Sequence, residues 1–236
     1  IVASLVGSEM CIRDRQKKFN YFTIRISSMP LSVKIWLPIS LVYILFFLWY
    51  TNLSGPLTEQ EIESYKKIFD ESNSARRDSG QWEKAFKFMI EDDGKDFYMV
   101  NFLDRNESPR TMEATGEGAT SLDLQMHYME YMWPQQFKRA SHPVFFAFVL
   151  NPALDIVAAQ GMEDWDIVAI FRYRSRRDLF EIGLNPVFDE RHEYKVEALD
   201  KTIAIPVETP FITDLRFALF VFLLLIGLII ERIRGK

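Results

Sequence analysis

The sequence predicts an α+β domain, an antiparallel sheet with helices on one face, flanked by two transmembrane helices. Three observations predict it. Between Ser54 and Pro210 the apolar pattern changes period in the order strand, helix, strand, strand, helix, strand, after a helical lead-in. On either side of that region lie the apolar runs Ile35 to Leu53 and Phe211 to Ile230. Charge is segregated as well: Ser54 to Pro210 carries 18 Lys and Arg against 29 Asp and Glu, a net of −11, while the remaining residues carry 10 against 4, a net of +6. With 236 residues, 48% hydrophobic and 26% charged, the chain is too apolar for general disorder.

Ile35 to Leu53 is 19 residues without a formal charge, about 28 Å of helix and close to the thickness of a bilayer's hydrocarbon. Trp36, Trp49 and Tyr50 stand near its ends, where amphipathic rings favour the headgroups, and Pro38 falls in the expected first turn. It also has a signal peptide's basic lead, yet no small-x-small cleavage site follows, so the expectation is an uncleaved anchor behind a cytoplasmic segment, residues 1–34. The second run, Phe211 to Ile230, has an uncharged stretch of only 14 residues, Phe217 to Ile230. Arg216 can snorkel and Asp214 suits the positive end of a helix, and the basic tail of residues 231–236 makes an abrupt stop; an apolar core helix is the alternative.

Lys17, Lys18, Arg25 and Lys34 precede the first run, and Arg232, Arg234 and Lys236 follow the second. The positive-inside tendency puts both termini in the cytoplasm. In a bacterium this expectation is a two-pass protein of the inner (cytoplasmic) membrane with a periplasmic domain; a mitochondrial inner membrane offers the same geometry. Residues 4–15, SLVGSEMCIRDR, resemble a translated sequencing-adapter artefact. If they are one, residues 1–15 carry no function and the single cysteine, Cys11, goes with them, leaving no disulfide, thiolate or Cys-based metal site.

Residues 54–95 read as a helical lead-in. Thr58 and Glu61 form a capping box ahead of Ile62, Tyr65, Ile68 and Phe69; a polar stretch, Ser72 to Gly80, breaks the pattern; Trp82, Phe86 and Met89 suggest a short helix ended by Gly94. The α+β domain then covers residues 96–208. Phe97 to Leu103 is its first strand, and Ser121 to Arg139 a helix with Leu122, Met126, Met129, Trp133 and Phe137 on one stripe, bent at Pro134. Val144 to Leu150 and Ile156 to Gln160 read as extended around the turn-prone Asn151-Pro152, and Trp165 to Arg174 as the clearest strand. Ser175 and Asp178 cap a helix that Gly183 and Asn185-Pro186 interrupt; another runs to about Lys201 before the last strand, Thr202 to Val207.

That order of elements is a ferredoxin-like sandwich. In the strand from Trp165 one face carries Trp165, Ile167, Ala169, Phe171 and Tyr173, and the opposite face adds Val168 and Ile170. A strand apolar on both faces needs cover on both, while helices cover one. A second copy of the sheet is the expected cover, with the lead-in helices folding over it as the alternative.

The segments MVNFL (Met99 to Leu103), WDIVAIFRYRSRRDLFEI (Trp165 to Ile182) and NPVFDERHEYKVEAL (Asn185 to Leu199), ending at AIPVE, resemble the dimeric α/β-barrel superfamily. Within it they are most similar to uncharacterised members related to the NIPSNAP and EthD-type groups. The resemblance covers about Asp96 to Glu208 and rests on motifs that mostly encode fold. It implies a ferredoxin-like dimer with a pocket between sheets and helices, in a superfamily that includes cofactor-free monooxygenases, haem-binding enzymes and proteins without an assigned reaction. Two membrane helices and a helical lead-in depart from the usual small soluble member.

Six residues are candidates for a ligand site. Asn101 is a polar amide in a buried strand and must find partners, so it fixes a neighbouring loop or points into a pocket. Arg172 and Tyr173 end the best strand and Tyr128 and Tyr131 lie on the first domain helix; they suit a small anionic or aromatic ligand, and surface packing explains them almost as well. His192 lies on the stripe of Phe188 and Leu199, beside the pocket that the resemblance implies, as a base, a haem ligand or a packing residue. His127 and Glu130 have helical metal-ligand spacing but read better as a polar helix edge, so no metal is expected. Arg172 to Arg177 holds four arginines in six residues, a solvated strand end or a grip for an acidic partner. Gly116-Glu117-Gly118 lacks the context of a phosphate loop, and the acidic domain argues against nucleic acid. The polar connection Asp104 to Thr120 has the length of a lid or of a simple loop.

No convergent catalytic set and no cofactor motif is legible. The first reading is a small-molecule-binding or protein-interaction module on a membrane, a homodimer or part of a larger membrane complex, taking a small, partly apolar ligand. The alternatives are a cofactor-independent oxygenase-like or haem-related enzyme, and an accessory subunit of a membrane complex.

Overall fold

A computed structural model describes residues 29–71, 80–154, 157, 160–162, 164–208 and 214–235. In chain order its elements are helices α1 (Leu31–Tyr50), α2 (Glu59–Glu71) and α3 (Gln81–Ile90), strand β1 (Phe97–Arg105) and helix α4 (Ser121–Lys138). Strands β2 (His142–Phe148) and β3 (Ile167–Tyr173), helices α5 (Arg176–Gly183) and α6 (Pro186–Glu197), strand β4 (Leu199–Val207) and helix α7 (Leu215–Arg234) follow. They form two units, one of residues 1–47 with 213–236, the other of residues 48–212. The adapter-like segment, residues 4–15, lies outside the described residues.

In the first unit α1 and α7 pack antiparallel: Trp36 meets Gly227, and Tyr43 meets Phe220 edge-on at 5.6 Å. Gly227 is required there by close approach. A Cβ at that position would lie 2.5 Å from the Trp36 ring. α1 starts four residues before the expected Ile35, so Pro38 sits inside the helix, where it cannot donate to the Lys34 carbonyl. Among the described residues α1 is the helix long and apolar enough to cross a membrane. α7 is also 20 residues long, but each of its 18-residue windows holds three charges drawn from Arg216, Glu231, Arg232 and Arg234. It is shifted from the expected Phe211 to Ile230, of which residues 211–213 lie outside the described residues. Asp214 caps its start, accepting from the Arg216 backbone N–H at 2.8 Å.

The second unit holds a four-stranded antiparallel sheet in the order β2-β3-β1-β4, the ferredoxin-like order. β1 pairs with β3 from Phe97↔Tyr173 to Leu103↔Ile167. Alternation then sends Phe97, Met99, Asn101 and Leu103, with Ile167, Ala169, Phe171 and Tyr173, to one face. This face packs on α4 and α6 through two buried clusters. One gathers Phe97, Tyr128, Tyr131, Met132, Tyr173, Ile182 and Phe188; the other gathers Leu103, Met112, Leu124, Ile167, Ala169, Ala198 and Leu199. A capping box of Thr120 and Asp123 starts α4, and Ser175, accepting from the Asp178 N–H at 3.1 Å, starts α5.

The other face carries Val100, Phe102, Val168, Ile170 and Ile205, half-buried or exposed. The lead-in helices do not cover it. Leu57, Met89 and Phe180 are buried with Ile62, Tyr65, Trp82, Phe86 and Leu184 around them, so α2 and α3 pack on α5. Gly94 lets the lead-in join closely: at φ 77° its Cβ would stand 2.6 Å from the Pro56 nitrogen.

Several boundaries differ from expectation. β2 begins at His142 and ends at Phe148, because an irregularity between Pro143 and Phe145 absorbs a residue. β3 begins at Ile167, two residues after Trp165. α6 stops at Glu197, and β4 starts at Leu199, since Leu199 is drawn into the core and Lys201 pairs with Asp104. Of the strand expected at Ile156 to Gln160, residues 156, 158 and 159 lie outside the described residues; Val157 and Gln160 are not in a strand.

Candidate functional site

Five of the six sequence candidates lie in the packed interface between the helix-facing side of the sheet and the helices α4, α5 and α6. Asn101 stands on the helix-facing side of β1 and is 8% exposed. Its Nδ2 donates to the Met99 carbonyl at 3.0 Å and the Ala169 carbonyl at 3.2 Å. Its Oδ1 receives no donor among the described residues. The register neighbours of Asn101 are Ala169 and Ala204, so small side chains flank the amide.

Tyr128 on α4 is buried, with its ring 6.1 Å from Phe188 and 6.3 Å from His192. His192 on α6 is half-buried and lies 5.0 Å from the Phe188 ring. Tyr131 donates its hydroxyl to the Ile182 carbonyl at 3.1 Å, and burial pushes its pKa up. The Tyr173 hydroxyl accepts from Gln136 Nε2 at 3.2 Å, its ring stacks on Phe97 at 5.4 Å, and burial raises its pKa too. Both phenols are neutral at ordinary pH, able to donate hydrogen bonds and not to act as anions.

A sixth polar group enters the same layer, and the sequence reading did not select it. Lys195 on α6 reaches the Tyr128 ring, its Nζ 5.6 Å from the centroid. Burial pushes its pKa below the ordinary lysine range. No carboxylate pairs with it among the described residues. A signal was present: Phe188, His192 and Lys195 fall at helical spacing on one stripe of α6, where Lys195 is half-buried.

Arg172 is the candidate that the structure separates from the others. Alternation sends it to the opposite face, where it is 1% exposed. Its Nε donates to Asp96 Oδ2 at 2.9 Å, Nη1 to the Ala140 carbonyl at 2.9 Å and Nη2 to the Tyr50 carbonyl at 3.1 Å. The guanidinium also lies 3.7 Å over the Tyr50 ring. Tyr50 in turn donates to His142 Nε2 at 2.7 Å, while His142 Nδ1, 3.0 Å from the Pro143 carbonyl, holds its proton towards that oxygen.

The other arginines of the cluster are engaged in the same way, which corrects the reading of a solvated strand end. Arg174 pairs with Asp178 at 2.7 Å and donates to the Trp49 carbonyl at 3.2 Å. Arg176 donates to the Phe88 carbonyl at 2.7 Å, its guanidinium 4.2 Å over the Phe88 ring and 3.6 Å from Asp92. Arg177 grips Glu61 at 2.6 and 3.0 Å and donates to the Gly55 and Pro56 carbonyls. Its hydrogen bonds hold the Glu61 carboxyl down to about 2. The cluster fastens the stretches Trp49 to Glu61 and Phe88 to Asp92 to the end of the sheet.

The His127 and Glu130 pair is joined by a cation from α6. Arg191 Nη1 lies 2.8 Å from the His127 ring nitrogens and 3.0 Å from Glu130 Oε2. Burial first, and then Arg191, lower the His127 pKa. Among the described residues no group of three His, Cys, Asp or Glu side chains could hold a metal ion.

No family model matches the sequence, and no curated protein matches it. Solved structures do. The RPA0582 protein of unknown function from Rhodopseudomonas palustris is 20% identical, over 55% of this chain and 94% of that one, with a TM-score of 0.45. At3g17210 from Arabidopsis thaliana is 11% identical over 50% of this chain and 99% of its own, with a TM-score of 0.30. A dimeric ferredoxin-like protein of unknown function from Jannaschia sp. CCS1 is 13% identical over 48% and 99%, also at 0.30.

Proposed function

We propose that this chain is a two-pass membrane protein whose ferredoxin-like domain, of the dimeric α/β-barrel type and related to the NIPSNAP and EthD-type groups, forms a homodimer and binds a small, partly apolar molecule between its sheet and the helices α4 and α6. The observation that carries the binding role is that polar groups converge beside the first apolar cluster, Lys195 Nζ 5.6 Å and the His192 ring 6.3 Å from the Tyr128 ring, with the Asn101 amide on the same face of the sheet. The dimer is supported by the apolar face of Val100, Phe102, Val168 and Ile170, half-buried in the single chain and, among the described residues, turned away from the helices α4 and α6.

Membrane anchoring is supported by the outer surfaces of α1 and α7. Leu37, Leu41 and Leu45 are 60%, 55% and 58% exposed, and Phe217, Phe222 and Ile229 are 65%, 59% and 57% exposed. A paired helical hairpin so apolar on its outside is stable in hydrocarbon and insoluble in water. Arg216 and Glu231 stand close to the two ends of α7, at the depth of headgroups. The basic flanks favour cytoplasmic ends and an outward domain, in a bacterial inner membrane or its organellar counterpart.

A second reading, an accessory subunit in a larger membrane complex, is favoured by the edge strand β2, where Phe145, paired with Ile170 on the open face, is 50% exposed, and Phe146 and Phe148, paired with Ala169 and Ile167 on the helix-facing side, are 57% and 65% exposed. Native mass spectrometry of the full-length protein, released from nanodiscs, tests both. The proposal expects twice 27.7 kDa plus a bound small molecule. A bare single chain overturns it, and a stoichiometric foreign chain favours the accessory subunit.

A further inference from the structure

We infer that one flank of the domain, the edge strand β2 with the loop after it and the outer side of α4, is seated in the upper acyl chains of a lipid layer; this rests on the reading of α1 and α7 as membrane helices. The two edges of the sheet are built differently. β4, at one edge, carries Asp200, Lys201, Thr202 and Pro206, the charges and the proline that keep an edge strand from sticking. β2, at the other, reads His142, Pro143, Val144, Phe145, Phe146, Ala147, Phe148. From Ala140 to Leu154 there is no Asp, Glu, Lys or Arg, although Ser54 to Pro210 carries 18 Lys and Arg and 29 Asp and Glu. A run without charge enters lipid without the desolvation that an ion would cost. α4 adds a second apolar stripe beside the one it buries: Leu122, Met126 and Phe137 are exposed, with Met129 and Trp133 half-buried between them. Trp133 joins this stripe to the sheet, stacked on Phe137 at 5.7 Å and 6.1 Å from Phe171, whose register partner on β2 is Pro143.

Two observations make the partner a lipid layer. The flank begins where α1 ends. Tyr50, the last residue of α1, bonds His142 at the start of β2, and Arg172 ties the Tyr50 carbonyl to that of Ala140, two residues past α4. Trp49 and Leu53, next to Tyr50 in the chain, are exposed apolar residues as well. The apolar side chains of the edge also project in every direction. Phe145 pairs with Ile170 on the open face, Phe146 and Phe148 pair with Ala169 and Ile167 on the helix side, and Leu150 and Leu154 in the loop are 90% and 88% exposed. A second copy laid on the open face leaves Phe146, Phe148 and the α4 stripe in water, and a partner laid on α4 leaves Phe145 there. A fluid apolar layer surrounds a projecting edge on both sides at once, and aromatic rings favour its headgroup boundary.

The test places single nitroxide labels on the full-length protein in phosphatidylcholine nanodiscs, in a Cys11→Ser background. The labelled variants are Met126→Cys, Phe146→Cys, Phe148→Cys and Leu150→Cys on the flank, Val196→Cys on the exposed side of α6 and Leu41→Cys on the outside of α1. Power-saturation spectra compare collisions with oxygen, which concentrates in lipid, and with a water-soluble nickel chelate. Oxygen should dominate at the four flank positions and at Leu41, and the chelate at Val196. Dominance of the chelate on the flank, with Leu41 still in oxygen, overturns this inference and leaves the anchor standing. Dominance of the chelate at Leu41 overturns the membrane reading itself. Flank labels sheltered from both reagents overturn the lipid in favour of a protein partner. In the combined variant Phe146→Ser, Phe148→Ser and Leu150→Ser, chelate collisions at Met126→Cys should rise to the Val196 level; collisions that stay unchanged overturn the part given to β2.

Discussion

Replacing Arg172 with methionine keeps most of the side chain's volume and deletes its charge. Three acceptors lose their donor: the Asp96 carboxylate and the carbonyls of Ala140 and Tyr50. Breaking a buried ion pair from one side costs about 3–5 kcal/mol. Asp96 keeps 24% of its side chain in solvent, which pulls the cost to the low end. The two carbonyls add about 1 kcal/mol each where water cannot reach them. A loss of about 3–5 kcal/mol is expected, the upper figure where water reaches neither carbonyl, read by urea unfolding of the full-length protein in nanodiscs with tryptophan fluorescence. Adding Asp96→Leu removes the stranded carboxylate and recovers about 1–2 kcal/mol of the loss. A single variant within about 1 kcal/mol of native, or a double variant no better than the single, would refute the reasoning.

Other predictions follow from the same geometry. Gly227→Leu drives a side chain into the Trp36 ring, so in a Cys11→Ser background a disulfide between Cys substitutions at Tyr43 and Phe220 should form far more slowly; undiminished cross-linking contradicts the packing. The Glu61 carboxyl is held down by Arg177, so its contribution is present above the ordinary carboxylate value and lost as pH falls from about 4.5 to about 2. With about a third of that side chain exposed, Glu61→Gln costs about 1 kcal/mol at neutral pH, and the gap from native closes in acid; a gap that stays constant across that window sinks the claim. For Lys195 the sign is opposite to the usual gain from a partner. Its pKa is depressed in the folded state, so the penalty is present below the folded value and vanishes as pH rises into the ordinary lysine range. Lys195→Met should therefore be more stable than native at neutral pH, by about 1 kcal/mol or less because the half-buried side chain keeps contact with water, and the advantage should shrink in alkali; a lower melting temperature at neutral pH contradicts the partly desolvated ammonium. Tyr131→Phe strands the Ile182 carbonyl and costs about 1 kcal/mol in thermal unfolding, and no change there would mean that water takes the bond.

How far the sequence could be read follows from the range of each interaction. β1 and β3 were legible because period-2 alternation is local, and the capping residues Thr58 and Ser175 because each finds its partner three residues on. The arginine cluster was not. Arg172 reaches Asp96 across 76 residues and Arg177 reaches Glu61 across 116, and no local pattern separates such anchors from a solvated charge run. The early start of β2 at His142 depends on an irregularity that only pairing with β3 reveals. Lys195 was within reach, since its helical spacing from Phe188 and His192 is local, but its residue type suggested solvent. The open face was foreseen from Val168 and Ile170; that the lead-in helices lie on α5 instead was decided by Phe180 and Leu184, residues with no special mark in the sequence.

The central claim is that hydrocarbon, not water, surrounds α1 and α7. Alkaline carbonate extraction of membranes from cells expressing the full-length chain measures this directly. The account predicts that the protein stays with the lipid pellet in full; recovery in the aqueous supernatant would contradict it.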